Sequence, residues 1–176
     1  MTIKKYDEYE VRTLLKAIDE HLKKQFSIIL IGGTAALLAY KVSRVTQDID
    51  TYNNISALLD AYKAAQKDTG LNIPFSQSGI ADFPYNFEDR LVEYKGEKFK
   101  NLIVKIPEIH DFILSKIIRG YEHDMETIEE VVKKNKVNIE TLKERFSNEM
   151  DQVIGDKKKI KLNFLVMLER CFGTRP

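Results

Sequence analysis

The chain has one cysteine, Cys171, in 176 residues. A lone thiol excludes an intramolecular disulfide framework and a cysteine-rich zinc site. Internal repeats and low-complexity tracts are absent. Charge of one sign is not in excess either: 28 Lys and Arg stand against 27 Asp and Glu, a net +1. No global field commits such a protein to nucleic acid, so any contact of that kind needs a local basic patch. No basic segment followed by an early apolar run opens the chain, and no apolar run reaches membrane-spanning length. The expectation is a cytoplasmic protein with no membrane partner. Hydrophobic residues make up 43% of the chain, enough to bury a core.

What is present reads as alternating elements. Val11, Leu14, Leu15, Ile18 and Leu22 recur at helical spacing and predict an amphipathic helix. Residues 26–31 form a continuous apolar run, read as a buried strand. Residues 34–42 contain strong helix formers behind Thr34, a potential N-cap. Residues 47–52 read as a second strand. Asn54 caps a third helix carrying Ile55, Leu58, Leu59 and Tyr62, with Gly70 as its stop. Residues 71–84 read as a loop. Residues 87–94 and 100–106 read as strands joined by a hairpin at Lys95-Gly96-Glu97, and Pro107 opens a helix. Helices at 125–132, 138–146 and 160–171 finish the chain, the last entered through a solvated Asp156-Lys-Lys-Lys159 run. The order predicts an α+β fold: a small mixed sheet covered by helices, residues 1–132, and a helical C-terminal extension, residues 133–176.

One stretch is more specific than the rest. Residues 31–50 read IGGTAALLAYKVSRVTQDID. A strand would place Thr46, Asp48 and Asp50 on one face, with Ile49 anchoring the other in the core. Carboxylates two residues apart, with Cα atoms roughly 6.6 Å apart, can share Mg²⁺ or Mn²⁺; without a cation they repel. Gly32 and Gly33 lack the Cβ that would keep a phosphate from the backbone, and the helix behind them presents N–H groups to an anion. Thr34 adds a hydroxyl or caps the helix. Arg44 could meet a phosphate bidentately. Taken singly, these are a tight turn, a solvated strand edge and a surface arginine. Within twenty residues, together, they read as a nucleotide site, though neither a P-loop nor a dinucleotide fingerprint is present.

This pattern resembles the signature of the polymerase-beta-like nucleotidyltransferases, hG[GS] followed by Dh[DE]h. GGTA with R-x-T-x-D-I-D is similar to the bacterial AbiEii-type branch, many of whose members are toxins of toxin–antitoxin pairs. That branch carries a lysine on a later helix and an aspartate beyond it, and LSKIIRGYEHDMETI supplies Lys116 and Asp124. The resemblance spans about residues 26–132. It implies that Gly32, Gly33 and Thr34 cradle an NTP, that Asp48 and Asp50 bind Mg²⁺, that Lys116 contacts phosphates and that Asp124 is a further active-site carboxylate. The implied reaction moves an NMP from the NTP to an acceptor hydroxyl, on a tRNA 3′ end, a protein or a small molecule, and an antitoxin protein is an implied partner.

The superfamily's third carboxylate has no sharp motif here. Asp89 and Glu93 in FEDRLVEY are its candidates, and two exposed strand charges read equally well. The alternative is therefore a catalytically degenerate fold that binds nucleotide or a protein without turnover. Lys116, Arg119 and His123 share a helix face at i, i+3 and i+7, either a phosphate-binding cluster or an ordinary wet face. His21 and His110 carry no partner motif.

Overall fold

A computed structural model describes residues 4–43, 45–78 and 82–174. The fold is α+β, as the sequence predicts, and divides into two compact units: residues 1–79 with 92–106, and residues 80–91 with 107–176. These units do not coincide with a division at residue 132. The helices just before that point pack on the C-terminal helices, so all of them fall in the second unit.

In the first unit the elements are α1 (Glu8–His21), β1 (Phe26–Ile29), α2 (Gly32–Ala39), β2 (Ile49–Thr51), α3 (Leu59–Thr69), β3 (Phe75–Gln77), β4 (Val92–Glu93) and β5 (Leu102–Ile106). β5 is central in one sheet, parallel to β1 and antiparallel to β4. β2 and β3 pair in parallel, with α3 as their crossover. Val11, Leu14, Leu15 and Ile18 are fully buried, so the predicted stripe of α1 is its core face. A capping box, Asp7 with Glu10, starts that helix. Asp19, almost fully buried, takes three backbone N–H groups from the start of β5: Lys100 at 2.7 Å, Asn101 at 2.6 Å and Leu102 at 2.6 Å. Those bonds satisfy a carboxylate that burial alone would make costly.

Several sequence expectations need correction here. β3 lies inside the stretch read as a loop; its three residues are held by the main chain of β2 rather than by any pattern of their own. The strand expected at 87–94 is a 3₁₀ turn, Phe87–Arg90, followed by the two-residue β4. The hairpin at Gly96 is present, with Tyr94 packed where a Cβ would be: its hydroxyl lies 2.3 Å from that position.

The second unit is helical: α4 (Ile109–Arg119), α5 (Glu122–Lys134), α6 (Ile139–Glu149) and α7 (Lys157–Phe172). Pro107 stands outside α4, whose N-cap is Glu108, accepting from the His110 N–H. Asn138 and Asp156 cap α6 and α7. Phe112, Ile113, Leu114, Ile117, Ile128, Val131, Leu142 and Met167 are fully buried between these helices. Each contributes on the order of 1.5–3 kcal/mol through burial. Lys157 does more than mark a solvated run: its ammonium donates to the carbonyls of Met150 (3.1 Å), Asp151 (2.5 Å) and Val153 (2.5 Å), closing the end of α6.

A charged network ties this unit's ends. The fully buried Asp111 accepts from Arg90 Nε and an Arg90 terminal nitrogen, both at 2.9 Å, and lies 3.0 Å from Arg145. Arg90 also reaches Glu149 at 2.6 Å. The bond to Asp111 is the main reason its guanidinium is held more firmly protonated than usual. Glu108 is half-buried, and burial alone would raise its pKa. Hydrogen bonds from His110 and Arg145 win, bringing it down to about 2. His110 is therefore a structural residue. Its Nδ1 lies 2.7 Å from Glu108, and its Nε2 accepts from the Asn138 N–H at 2.9 Å.

Candidate functional site

The residues of the GGT and T-x-D-x-D segments meet within the first unit. α2 begins earlier than its sequence suggests, at Gly32, with Ile31 as an extended N-cap residue and no side chain capping the helix. Thr34 is therefore not the cap but sits in the first turn, fully buried. Gly32 has φ +57°, a conformation that carries a steric cost for any residue with a side chain. A Cβ at Gly32 would lie 2.3 Å from Asp50 Oδ2, so the missing side chain is the space the Asp50 carboxylate occupies. A Cβ at Gly33 would lie 3.4 Å from the Thr46 hydroxyl. Gly33 itself is exposed.

Main chain and hydroxyls hold this arrangement. Ile31 N–H donates to the Asp50 carbonyl at 3.0 Å, and Tyr52 N–H to the Ile29 carbonyl at 2.9 Å, which zips β1 to β2. Asn53, which no sequence motif marks, locks the same join: its side chain accepts from Ile29 N–H and donates to the Ser27 carbonyl, each at 2.8 Å. The Thr34 and Thr46 hydroxyls both donate to the Asp48 carbonyl, at 3.1 and 2.8 Å.

That last bond changes the strand. Thr46 pairs with Tyr6 in an isolated bridge, and the chain bends at Gln47 and Asp48 before β2 starts at Ile49. A threonine hydroxyl bonding its own backbone two residues on competes with the extended ladder. The strict alternation expected from 46 to 50 therefore does not run through the bend. Ile49 is still fully buried, as its anchoring role requires, and Asp48 and Asp50 are both half-buried. Arg44 lies outside the described residues.

The family model described as "Nucleotidyltransferase of unknown function (DUF6036)" matches residues 9–170. The chain belongs to this family. No curated protein and no solved structure matches it. The nucleotidyltransferase level of the resemblance is thereby shown; its AbiEii-type branch is finer than the match reaches.

Lys116 and Asp124 belong to the second unit and to each other. Gly120, in the left-handed region at φ +59°, ends α4, so the two residues sit on separate helices rather than on one continuous face. Lys116 Nζ lies 3.2 Å from Asp124 Oδ1, Arg119 donates to the same oxygen at 2.7 Å, and His123 is 3.7 Å away. Lys116 is 8% exposed and Asp124 fully buried. The second oxygen of Asp124, Oδ2, is buried and has no hydrogen-bond partner among the described residues. Of the third-carboxylate candidates, Asp89 is on the 3₁₀ turn of the second unit. Glu93 is an exposed residue of β4, opposite Lys105. They do not share a strand. Cys171 is a bystander: burial pushes its thiol up to about 11, leaving it protonated and unreactive near neutrality.

Proposed function

We propose that this protein uses Mg²⁺ (or Mn²⁺) to move an NMP from an NTP to an acceptor hydroxyl, and that it is an AbiEii-type toxin partnered by an antitoxin protein. The observation that carries the reading is the Asp50 carboxylate seated in the space of the missing Gly32 Cβ, beside a helix N-terminus that no side chain caps. A carboxylate and a set of backbone donors side by side suit a metal–triphosphate complex, whose two components carry opposite charge.

The donors fit a hard cation. No group of three or more His, Cys, Asp or Glu side chains is gathered as a metal cage among the described residues. Asp48 and Asp50 offer oxygens alone, which suits an ion that completes its shell with water and substrate phosphates. When bound, that ion would neutralise charge on the attacking and leaving oxygens of phosphoryl transfer. The protein's own part is positional. Gly32, Gly33 and Thr34 would present main-chain N–H groups to the triphosphate, with Thr46 fixing the approach of Gly33 and Arg44 adding a guanidinium. The Thr34 and Thr46 hydroxyls hold the Asp48 backbone, which aims both carboxylates. Lys116 and Asp124 keep, as proposals, the phosphate contact and the active-site carboxylate that the resemblance implies. The orphaned Asp124 Oδ2 supports this, because a buried carboxylate oxygen is seldom left without a donor or cation.

The test pairs binding with turnover. Calorimetry with Mg²⁺ and non-hydrolysable NTPs is expected to give saturable binding that Asp48→Ala and Asp50→Ala abolish. Labelled NTPs with RNA and protein acceptors are expected to give transfer that the same variants lose. Binding without transfer from any of the four NTPs would select the degenerate reading, favoured by Asp89 and Glu93 not sharing a strand. Absence of NTP binding would overturn the transfer reading and leave of the degenerate one only its protein-binding form.

A further inference from the structure

The turn between α4 and α5 is built around Gly120, where a Cβ would meet Asn163 Nδ2 at 2.1 Å. Asn163, on α7, donates to the Ile117 carbonyl at 2.8 Å and so locks α7 along this turn. One helical turn earlier on α7 is Lys159. Its ammonium lies 5.8 Å from the centroid of the Tyr121 ring, within cation–π range. Tyr121 keeps 57% of its surface exposed. Its carbonyl accepts from the N–H groups of Asp124 and Met125, a role in the turn that belongs to the main chain and not to the ring. The His123 ring lies 5.7 Å from it, tilted by 30°, and the side chains of His123 and Arg119 are 59% and 54% exposed.

Two of the acids here are buried or already engaged. Asp124 is fully buried against Lys116 and Arg119, and Glu122 is tied to Arg170 at 2.6 Å. An exposed ring flanked by outward cations fits one chemistry well. An unpaired base has a π-face to stack, and the phosphodiester beside it takes a lysine or arginine. A duplex keeps its base faces inside the stack, and an acidic peptide has no use for the rings.

We propose that the Arg119–Tyr121–His123–Lys159 surface binds a single-stranded polynucleotide, one base stacking on Tyr121 and adjoining phosphates meeting Lys159 and Arg119. This is the local patch that a chain of net charge +1 requires if it is to hold nucleic acid. That the strand is the acceptor of nucleotidyl transfer rests on the function proposed above; the binding itself does not.

Fluorescence anisotropy with labelled 12-mers, in the absence of NTP and metal, tests the binding directly. Single-stranded RNA and DNA of one sequence, their duplex, and a polyglutamate competitor form the arms. Single strands are expected to saturate at lower protein concentration than duplex. A preference for RNA over DNA would name RNA as the strand; equal affinity leaves the assignment as any single strand. Tyr121→Ala is expected to weaken binding roughly tenfold and Tyr121→Phe to restore it. Lys159→Ala is expected to flatten the log–log salt dependence by about 0.7. Absence of saturable binding, no effect of Tyr121→Ala, or polyglutamate competing as well as an unlabelled strand would overturn the proposal. Asp48→Ala is expected to leave strand binding unchanged. If the unsubstituted protein binds the strand but no NTP, only the transfer reading fails; if it binds NTP but no strand, only this one does.

Discussion

The two units are held together by different means. In the first, side chains bond to main chain: Asp19 to three N–H groups, Asn53 to both partners of a strand join, Thr34 and Thr46 to one carbonyl. In the second, charges bond to charges: Arg90 and Arg145 to Asp111, Lys116 and Arg119 to Asp124, Arg170 to Glu122 and Glu129. A geometry set by backbone is insensitive to changes elsewhere in sequence. A geometry set by paired charges depends on every member being present, because a buried charge left alone is expensive. The proposed chemistry divides the same way: a cradle fixed by backbone in the first unit, and cations whose presentation is tuned by their partners in the second.

The largest test of that contrast removes the centre of the second unit's network. Asp111→Ala removes the buried carboxylate that two guanidinium groups share, leaving Arg90 to Glu149 and Arg145 to Glu108, and is expected to cost about 3 kcal/mol. Segment-resolved hydrogen exchange should show the loss in residues 107–174 and not in β1, β2 or β5. Uniform loss across both units would erase the distinction. A smaller effect comes from acid. The folded pKa of Glu108 is about 2, below its ordinary 4.5, so the folded state binds the proton less readily than the unfolded chain. Its contribution, on the order of 2–3 kcal/mol, is present above pH about 4.5 and disappears as pH falls toward about 2. Urea titrations across that range check it, with Glu108→Gln expected to flatten the dependence.

The smallest and sharpest comparison lies within the first unit. Gly32 and Gly70 have similar angles, φ +57° and +69°, but a Cβ at Gly70 would meet nothing within 4 Å. Ala at either position carries the left-handed cost of about 1–2 kcal/mol. Only Gly32→Ala must also displace the Asp50 carboxylate. A thermal shift in Gly32→Ala at least as large as in Gly70→Ala, with a loss of NTP–Mg²⁺ affinity in Gly32→Ala alone, is expected by calorimetry. Equal affinity in both variants would remove the Gly32–Asp50 contact from the proposed site.

Much of the fold was legible because its signals are local. The apolar stripe of α1, the run of β1, Gly70 at the end of α3, and Gly96 in its hairpin each act within a few residues. The IGGT and DID segments could be read as neighbours for the same reason, one helix apart. Asn54 does not cap α3, whose N-cap is Leu58; it accepts from the Ser56 N–H at the entry to a 3₁₀ turn that precedes the helix. The bend at Thr46 was not legible, since a hydroxyl must choose between solvent and a carbonyl two residues away. β3 was hidden because its three residues have no pattern beyond pairing with β2. The 3₁₀ turn at Phe87–Arg90 was read as strand because it runs straight into Leu91, Val92 and Tyr94, which are strand formers. Arg90 turns instead toward Asp111 and Glu149, 21 and 59 residues away, and no window on the sequence shows such partners. Tyr121 went unremarked because an exposed aromatic reveals itself only through its neighbours in space.

The bonds of Asp19 set a schedule for the newborn chain. Its three N–H donors lie 81 to 83 residues downstream, at the start of the strand that also supplies β1 with its parallel partner. Residues 80–91, which belong to the other unit, must be made in between. At roughly 5–20 residues per second, the Asp19 carboxylate of α1 waits for several seconds without the donors that will hold it. The amino terminus is synthesised first, but its unit can close only after part of its neighbour has already left the ribosome.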